Sequence, residues 1–374
     1  MKTYMFPGQG SQAKEMGAGL FDRYPELTAQ ANAVLGYSIK ELCLQDPREE
    51  LGKTQFTQPA LYVVNALSYL RKVEEEGTPD FLAGHSLGEF NALMAAGCFD
   101  FETGLRMVQR RGELMSRIAG GGMAAIVNAP KEHIAEVLKA KGLNNVYMAN
   151  FNAPMQTVIS GLYDEIVSAE QHFQRQGKIR FYPLATSGAF HSQYMNEAME
   201  QFRDYLKDIP FAAPAIPVVA NVTARPYQGN AILDTLASQI AGTVRWSESM
   251  QYLMALARQR GETAEFIECG HGDVLTRLAY TIQSQTTETD LAQFAAELPA
   301  RAPEPSISLH SGSAEEKVSA WKKNYPIGSR MTSTIPGYDV LETRTDALVL
   351  FGHRAAVYMQ GYKGYFDLDE LTPV

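Results

Sequence analysis

A strand, a glycine-rich turn and a helix follow one another twice in the first hundred residues. The first unit has a strand-like run at residues 4–6, a turn at 7–12 and a helical stretch that begins near Ala13. The second has a short apolar run at 80–83 that enters Gly84-His85-Ser86-Leu87-Gly88-Glu89 and continues into a helix-prone segment. This alternation predicts an α/β fold, with a mostly parallel sheet covered by helices.

The pattern Gly84-x-Ser86-x-Gly88 between a strand and a helix is typical of a nucleophile elbow. The turn is so tight that bulky neighbours are excluded, which explains the glycines. Ser86 then lies at the start of a helix, where free backbone N–H groups favour a developing oxyanion. The alternative is a glycine-bracketed helix cap, in which Ser86 bonds only to its own backbone.

A serine nucleophile needs a base, and His191 is the best placed of seven histidines. It follows a predicted strand and precedes a predicted helix, a position that can face a cleft. His85 adjoins Ser86, but neighbouring side chains diverge at an elbow, so it fits a pocket role. The histidine could be oriented by an acid such as Asp164 or by a carbonyl, and the sequence does not choose between them. The other histidines fit solvated or packed positions: His133, His172, His310 and His353.

Residues between Gly122 and Ala185 change to the order β-α-β-β-α-β, which matches a ferredoxin-like unit. We therefore expect a small domain inserted into the larger one. The predicted division is 1–121 with 190–290 for an α/β-hydrolase-like large domain, 122–189 for the insert, 291–316 for a proline-rich connector and 317–374 for a folded C-terminal linker segment. Within that last segment, 341–365 suggests a helix-like run with aromatic turns.

Composition narrows the classes of function. The 374 residues are 45% hydrophobic and carry a net charge of -9, which argues against nucleic-acid binding because such proteins present a basic face. The three cysteines are far apart and predict neither disulfides nor a metal cluster. The chain shows no signal peptide and no apolar stretch of membrane-spanning length. These features predict a cytoplasmic protein without a membrane partner.

Five motifs in order resemble the malonyl-CoA:acyl-carrier-protein transacylase family over residues 1 to about 285. They resemble most the free-standing acyltransferases that serve polyketide synthases. The motifs are Pro7-Gly8-Gln9-Gly10-Ser11-Gln12, Gly84-His85-Ser86-Leu87-Gly88-Glu89, Arg111-Gly112-Glu113-Leu114-Met115, Asn150-Phe151-Asn152-Ala153-Pro154 and Gly188-Ala189-Phe190-His191-Ser192. From about 317 onward, residues 350–354 and 361–366 look like the connector that leads to an enoyl reductase domain in some of these proteins.

The resemblance implies a transfer of malonyl from malonyl-CoA to an acyl carrier protein, without metal or other cofactor. Ser86 would be the nucleophile, His191 the base, and Gln9 with the Leu87 N–H the oxyanion hole. The backbone carbonyl of Gln239 would orient the histidine. The implied substrate-binding residues are Arg111, Phe190, Met115, His85 and Asn150.

The role of Arg111 also follows from charge. Malonyl carries a free carboxylate, and a planar guanidinium offers it a bidentate match. The alternative is that Arg110 and Arg111 are solvated charges on a predicted helix at 101–117. Phe190 is the position where the family separates malonyl from methylmalonyl users, and a bulky aromatic there favours malonyl.

The sequence leaves two rival functions open. An editing hydrolase of the same fold would use the same dyad to clear acyl chains from carrier proteins. A non-catalytic docking module would bring a carrier protein to a synthase through residues 317–374. Two positions depart from the family pattern, since His271 replaces a usual proline and Gly188 replaces a frequent histidine; His271 fits a surface loop better than a cleft.

Overall fold

The first stretch of the chain builds half of a parallel sheet and most of its helical cover. The structure, a computed structural model, describes residues 1–173, 177–186, 188–228, 231–298, 313–335, 338, 340–350 and 354–373. The elements up to residue 116 are β1 (Lys2–Phe6), α1 (Leu20–Arg23), α2 (Pro25–Leu35), α3 (Ile39–Leu44), α4 (Thr54–Glu76), β2 (Phe81–Gly84), α5 (Gly88–Ala95) and α6 (Phe101–Ser116).

The predicted β-α-β-β-α-β order of the insert is confirmed. Its elements are β3 (Gly121–Val127), α7 (Lys131–Ala140), β4 (Tyr147–Ala153), β5 (Gln156–Leu162), α8 (Tyr163–Phe173) and β6 (Arg180–Pro183). The strands form an antiparallel sheet in the order β4-β5-β3-β6. One face of this sheet packs with α7 and α8 around a core that includes Ile126, Ile159 and Phe173.

The chain then returns to the first sheet. The elements are a 3-10 turn (Gln193–Met195), α9 (Asn196–Leu206), β7 (Val218–Val219), α10 (Ile232–Ser238), α11 (Trp246–Arg260), β8 (Glu265–Glu268), α12 (Val274–Gln285) and α13 (Glu288–Ala292). The sheet has the order β7-β2-β1-β8, and all of its neighbouring strands are parallel. This is the mixed α/β architecture predicted from the sequence.

Helices cover both faces of the parallel sheet, because strands buried on both sides need apolar partners on each. Tyr4 and Phe6 of β1 contribute to one core, and Met5 contributes to the other. All three are completely buried. The alternation of side chains along a strand explains this division.

The chain divides into two compact units after Leu298. The second unit has α14 (Ala314–Asn324), β9 (Arg330–Ser333), β10 (Val340–Glu342), β11 (Leu348–Leu350), β12 (Arg354–Tyr358), β13 (Tyr365–Asp367), a 3-10 turn (Leu368–Glu370) and β14 (Leu371–Pro373). Its sheets have the orders β10-β9-β14 and β11-β12-β13, both antiparallel. Buried Trp321 and Met331 contribute to a separate core.

The prediction of a helix-like run within residues 341–365 is wrong. The described residues there form short strands instead, and each is hydrogen-bonded to a neighbouring antiparallel strand. Of the predicted connector at 291–316, residues 299–312 lie outside the described residues. His310 and His353 also lie outside them.

No helix among the described residues is long and apolar enough to cross a membrane.

Candidate active site

Ser86 lies in the turn between β2 and α5 with a φ of 50°. This left-handed backbone conformation is uncommon outside glycine and is typical of strained functional positions. The two flanking glycines permit the turn. A Cβ on Gly84 would lie 1.9 Å from the backbone carbon of Gly88, and a Cβ on Gly88 would lie 2.0 Å from the oxygen of Phe6.

We expect Gly84→Ala to destabilise the protein by about 3 kcal/mol or more, because its methyl group would meet backbone that cannot move aside. Gly52→Ala is the matched control, since a Cβ on Gly52 meets nothing within 4 Å. Thermal unfolding of both variants measures the difference. Equal melting temperatures for the two variants would contradict a steric need for glycine at the elbow.

His191 is hydrogen-bonded to the serine hydroxyl, with its Nε2 2.8 Å from Ser86 Oγ. Its other ring nitrogen, Nδ1, lies 2.9 Å from the carbonyl oxygen of Gln239 and 3.1 Å from that of Gly242. Carbonyl oxygens only accept, so Nδ1 must carry the hydrogen and Nε2 is left to accept one from Ser86. Two backbone carbonyls therefore fix the orientation and tautomer of the ring, as the Asp of a catalytic triad does.

The imidazole is held in its neutral form. Burial, together with the nearby charge of Arg111, lowers the pKa of His191 to about 3. The carbonyls of Gln239 and Gly242 act in the opposite direction. A neutral imidazole can take a proton from a serine hydroxyl, so the ring is in the form that a general base requires.

Arg111 is a buried cation beside the serine. It is 1% exposed and projects from α6. Its Nη2 donates to Ser86 Oγ at 3.1 Å and to Gln239 Oε1 at 2.8 Å, while Nη1 donates to Gln58 Oε1 at 2.8 Å. Burial lowers the pKa of Arg111 to about 10, which leaves it charged at neutral pH. Arg111 is thus no solvated helix charge, whereas Arg110 is partly exposed and pairs with Glu113.

The Ser86 N–H is not available to an oxyanion, because it donates to Asn221 Oδ1 at 2.7 Å. Leu87 occupies the N-cap of α5, the next position along the turn. Gln9 lies near it in the cavity, and its Nε2 makes a long 3.4 Å bond to Thr54 Oγ1. The Leu87 N–H, on this turn, and the Gln9 side-chain amide, on the turn after β1, are donors in the cavity wall that an oxyanion can accept from.

Ser86 lies on a cavity of about 400 Å³ between the large sheet and the insert. The insert contributes Met123, Val158 and Leu184 to its wall. His85, also in this wall, bonds Asn152 Oδ1 at 2.8 Å and lies 5.4 Å from the ring of Trp246. The other sequence-predicted residues that line the cavity are Gln9, Leu87, Arg111, Met115, Asn150, Phe190 and His191.

Gln239 lies behind the cavity and contacts the site twice, through its carbonyl to His191 and through its side chain to Arg111. The residues that line the cavity do not include His271. The Gln239 side chain was not predicted to act.

Several polar partners at the site were not predicted from the sequence. Glu89 and Asn152 are in motifs quoted above, but a motif does not show that Glu89 is buried or that Asn152 bonds His85. The remaining partners come from distant segments, and no local pattern marks them. They are Gln58, Asn221 and Tyr227.

Comparison with known proteins agrees with this geometry. The family model described as the acyl transferase domain matches residues 3–289. The polyketide biosynthesis protein PksE of Bacillus subtilis is 54% identical over 287 residues, which is 76% of this chain and 37% of PksE, so the chain spans little more than a third of that relative. The polyketide biosynthesis malonyl CoA-acyl carrier protein transacylase PksC of Bacillus subtilis is 55% identical over 285 residues, covering 76% of this chain and 97% of PksC.

A solved structure is similar over the same region. The crystal structure of a malonyl CoA-acyl carrier protein transacylase from Burkholderia pseudomallei has a TM-score of 0.75 and 61% identity, and covers 77% of this chain and 99% of its own. The match reaches from β1 through the insert to the return of the chain into the parallel sheet. The chain therefore belongs to the acyl transferase domain family.

Proposed function

We propose that this protein transfers a malonyl group from malonyl-CoA to the phosphopantetheine thiol of an acyl carrier protein, in polyketide biosynthesis, through an ester on Ser86. The observation that carries the proposal is the position of Ser86 Oγ, 2.8 Å from a neutral imidazole and 3.1 Å from a buried guanidinium. The first supplies a base, and the second supplies a partner for a substrate carboxylate.

In the first half-reaction, Ser86 Oγ attacks the thioester carbonyl carbon while its proton passes to His191 Nε2. The Leu87 N–H and the Gln9 amide stabilise the oxyanion that forms. The carbon–sulfur bond then breaks, and coenzyme A leaves as a thiol with the proton from His191. The product is malonyl-Ser86 with a neutral imidazole.

In the second half-reaction, the carrier thiol gives its proton to His191 and attacks the ester carbon. The bond to Ser86 Oγ breaks, and the serine recovers its hydrogen from the imidazole. The two half-reactions share one site and one base, so the kinetics are expected to be ping-pong.

Arg111 has the donors that a bidentate carboxylate needs. A guanidinium has five N–H groups. Three of them go to Gln58, Gln239 and Ser86 Oγ. A malonyl carboxylate could accept the Nη2 hydrogen that Arg111 now donates to Ser86 Oγ, together with the second hydrogen of Nη1. Both terminal nitrogens would then hold the carboxylate. Substrate binding would then release Ser86 from Arg111 while Gln58 and Gln239 keep the guanidinium in place.

The buried cation also favours transfer over the two rival functions. An editing hydrolase for neutral acyl chains would gain nothing from Arg111, and its burial would remain a cost. A docking module would need neither the Ser86–His191 hydrogen bond nor the two carbonyls that orient the ring. Transfer uses all of these features.

Incubation with radiolabelled malonyl-CoA, followed by denaturation, separates the three functions. We expect a stable label on wild-type protein that moves to an added carrier protein, and no label on Ser86→Ala. Rapid release of free malonate would favour the editing hydrolase. Absence of label on the wild-type protein would favour the non-catalytic docking module.

Phe190 is proposed to exclude an α-methyl group from the cavity. It is 7% exposed and lines the wall beside His191. We expect Phe190→Ala to raise the rate with methylmalonyl-CoA relative to malonyl-CoA about 10-fold, since a methyl group in such a pocket is worth roughly 1–3 kcal/mol. Phe151→Ala, on β4 but outside the cavity wall, is the control. An unchanged ratio in the Phe190 variant would remove this residue from substrate choice.

We also place the protein in the cytoplasm. Cys43, Cys98 and Cys269 are buried free thiols, a state typical of a reducing compartment.

A further inference from the structure

A buried carboxylate lies behind the candidate active site and has no part in the chemistry proposed above. Glu89, in the first turn of α5, is completely buried. Its Oε1 accepts from the hydroxyl of Tyr227 at 2.6 Å and from the N–H of Asn221 at 3.1 Å. Its Oε2 accepts from Gln239 Nε2 at 2.7 Å. Every partner of the carboxylate is a donor, so the ionised form fits the site.

The amide of Gln239 can have only one orientation in this environment. Its nitrogen donates to Glu89 and, at 2.6 Å, to the carbonyl oxygen of Ser86, and both of these groups only accept. Its oxygen accepts from Arg111 Nη2, which can only donate. A flipped amide would place hydrogens against the guanidinium and an oxygen against two acceptors. The carboxylate, the Ser86 carbonyl and the guanidinium thus all favour the orientation in which the amide oxygen of Gln239 faces Arg111.

The same amide joins two buried charges. Arg111 and Glu89 are each at least 99% buried and lie on opposite sides of the Gln239 side chain. Burial raises the pKa of Glu89 to about 7 even though its hydrogen bonds and the charge of Arg111 act in the opposite direction. A buried cation is costly without a compensating anion, and the ionised form of Glu89 supplies that anion without occupying the face of Arg111 that lines the cavity.

We propose that Glu89, held by Tyr227, is a positioning residue that fixes the Gln239 amide and thereby keeps Arg111 aimed at the carboxylate of the acyl group. The inference rests on the proposed malonyl transfer. It assigns Glu89 no contact with the substrate and no share in proton transfer.

Glu89→Gln tests the inference because a neutral amide of the same shape cannot satisfy the three donors. If the new amide turns its oxygen to Gln239, its NH₂ group faces the N–H of Asn221. If it turns its NH₂ group to Gln239, that side chain must flip and present its own NH₂ group to Arg111. Either arrangement leaves two donors facing one another.

We expect Glu89→Gln to lower kcat/KM for acylation by malonyl-CoA about 10- to 100-fold, in the range seen when outer partners of site residues are lost. Acylation by acetyl-CoA, which lacks the free carboxylate, should change much less, so the malonyl-to-acetyl ratio falls. Tyr227→Phe removes one of the three donors and should lower the ratio less. If Glu89→Gln does not fold, the same ratio measured on Tyr227→Phe tests the inference.

Glu268→Gln is the matched control. Glu268 also accepts three hydrogen bonds, from the backbone of Leu275 and from the backbone and hydroxyl of Thr276, but it lies outside the cavity wall. We expect it to leave the malonyl-to-acetyl ratio unchanged. A purely structural effect of losing a glutamate would lower both acylation rates together.

The double variant Glu89→Gln/Arg111→Ala identifies the residue through which Glu89 acts. Its malonyl-to-acetyl ratio should equal that of Arg111→Ala alone, because Glu89 has nothing left to position. An equal fall in both rates for Glu89→Gln, or a further change of the ratio in the double variant, would overturn the inference. Absence of label on the wild-type protein would instead reject the proposed function.

Discussion

Replacing His191 with alanine is expected to slow acylation of Ser86 by about 10²–10⁴-fold, the usual contribution of a general base. The serine hydroxyl is a weak nucleophile, and the imidazole 2.8 Å away is the base that the site offers it. Because burial lowers the pKa of His191 to about 3, the ring is already neutral at the pH of the assay and needs no prior loss of a proton.

Rapid mixing with radiolabelled malonyl-CoA, followed by acid quench, measures this acylation rate directly. His271→Ala is the matched control, since that histidine is not among the residues that line the cavity. We expect it to react at the wild-type rate. A wild-type rate in His191→Ala would remove His191 from the mechanism.

Arg111→Ala should abolish most of the preference for malonyl-CoA. Loss of one partner from a buried, hydrogen-bonded charge pair costs roughly 2–5 kcal/mol, which is about 30- to 4,000-fold in kcat/KM. Acetyl-CoA has no free carboxylate to contact Arg111, so the activity with acetyl-CoA should rise relative to that with malonyl-CoA. Competition between the two thioesters, with the label followed on the protein, measures the ratio.

Arg110→Ala is the control for a change of charge on the same helix. Arg110 is partly exposed and pairs with Glu113 at 3.5 Å, so its removal should leave both rates unchanged. Arg111→Lys should also fail to restore malonyl preference, because an ammonium group lacks the planar bidentate geometry. An unchanged malonyl-to-acetyl ratio in Arg111→Ala would contradict the assigned role.

The Arg111 variant is also expected to be less stable. It leaves Glu89 buried without its cation, and a lone buried charge is strongly unfavourable. Thermal unfolding measured beside the kinetics separates this effect from a loss of carboxylate binding, since destabilisation alone would lower the malonyl and acetyl rates together.

Local sequence determined the elbow and the insert. The turn at Ser86 depends on Gly84 and Gly88, which lie within two residues of it, so steric reasoning on a short segment was sufficient. The order of strands and helices from β3 to β6 was also read correctly from the spacing of apolar residues. The short strands β10 to β13 were missed, because segments of three to five residues are too short to show a periodicity and depend on pairing with other strands.

Tertiary structure decided how the charges and polar groups at the site are connected. Ser86 and His191 are 105 positions apart, and Gln239 lies a further 48 beyond the histidine. Apolar residues three and four positions away, such as Val108 and Met115, place Arg111 on the inner face of α6. Only the packing of α6 against α4 shows that its guanidinium meets Gln58 there. The sequence by itself therefore determined where a nucleophile could be held, because that depends on neighbours in the chain. The family resemblance named His191 and Arg111, but only the folded chain decided how they contact Ser86, Gln239 and the buried Glu89, because those contacts come from segments that have no local signal of meeting.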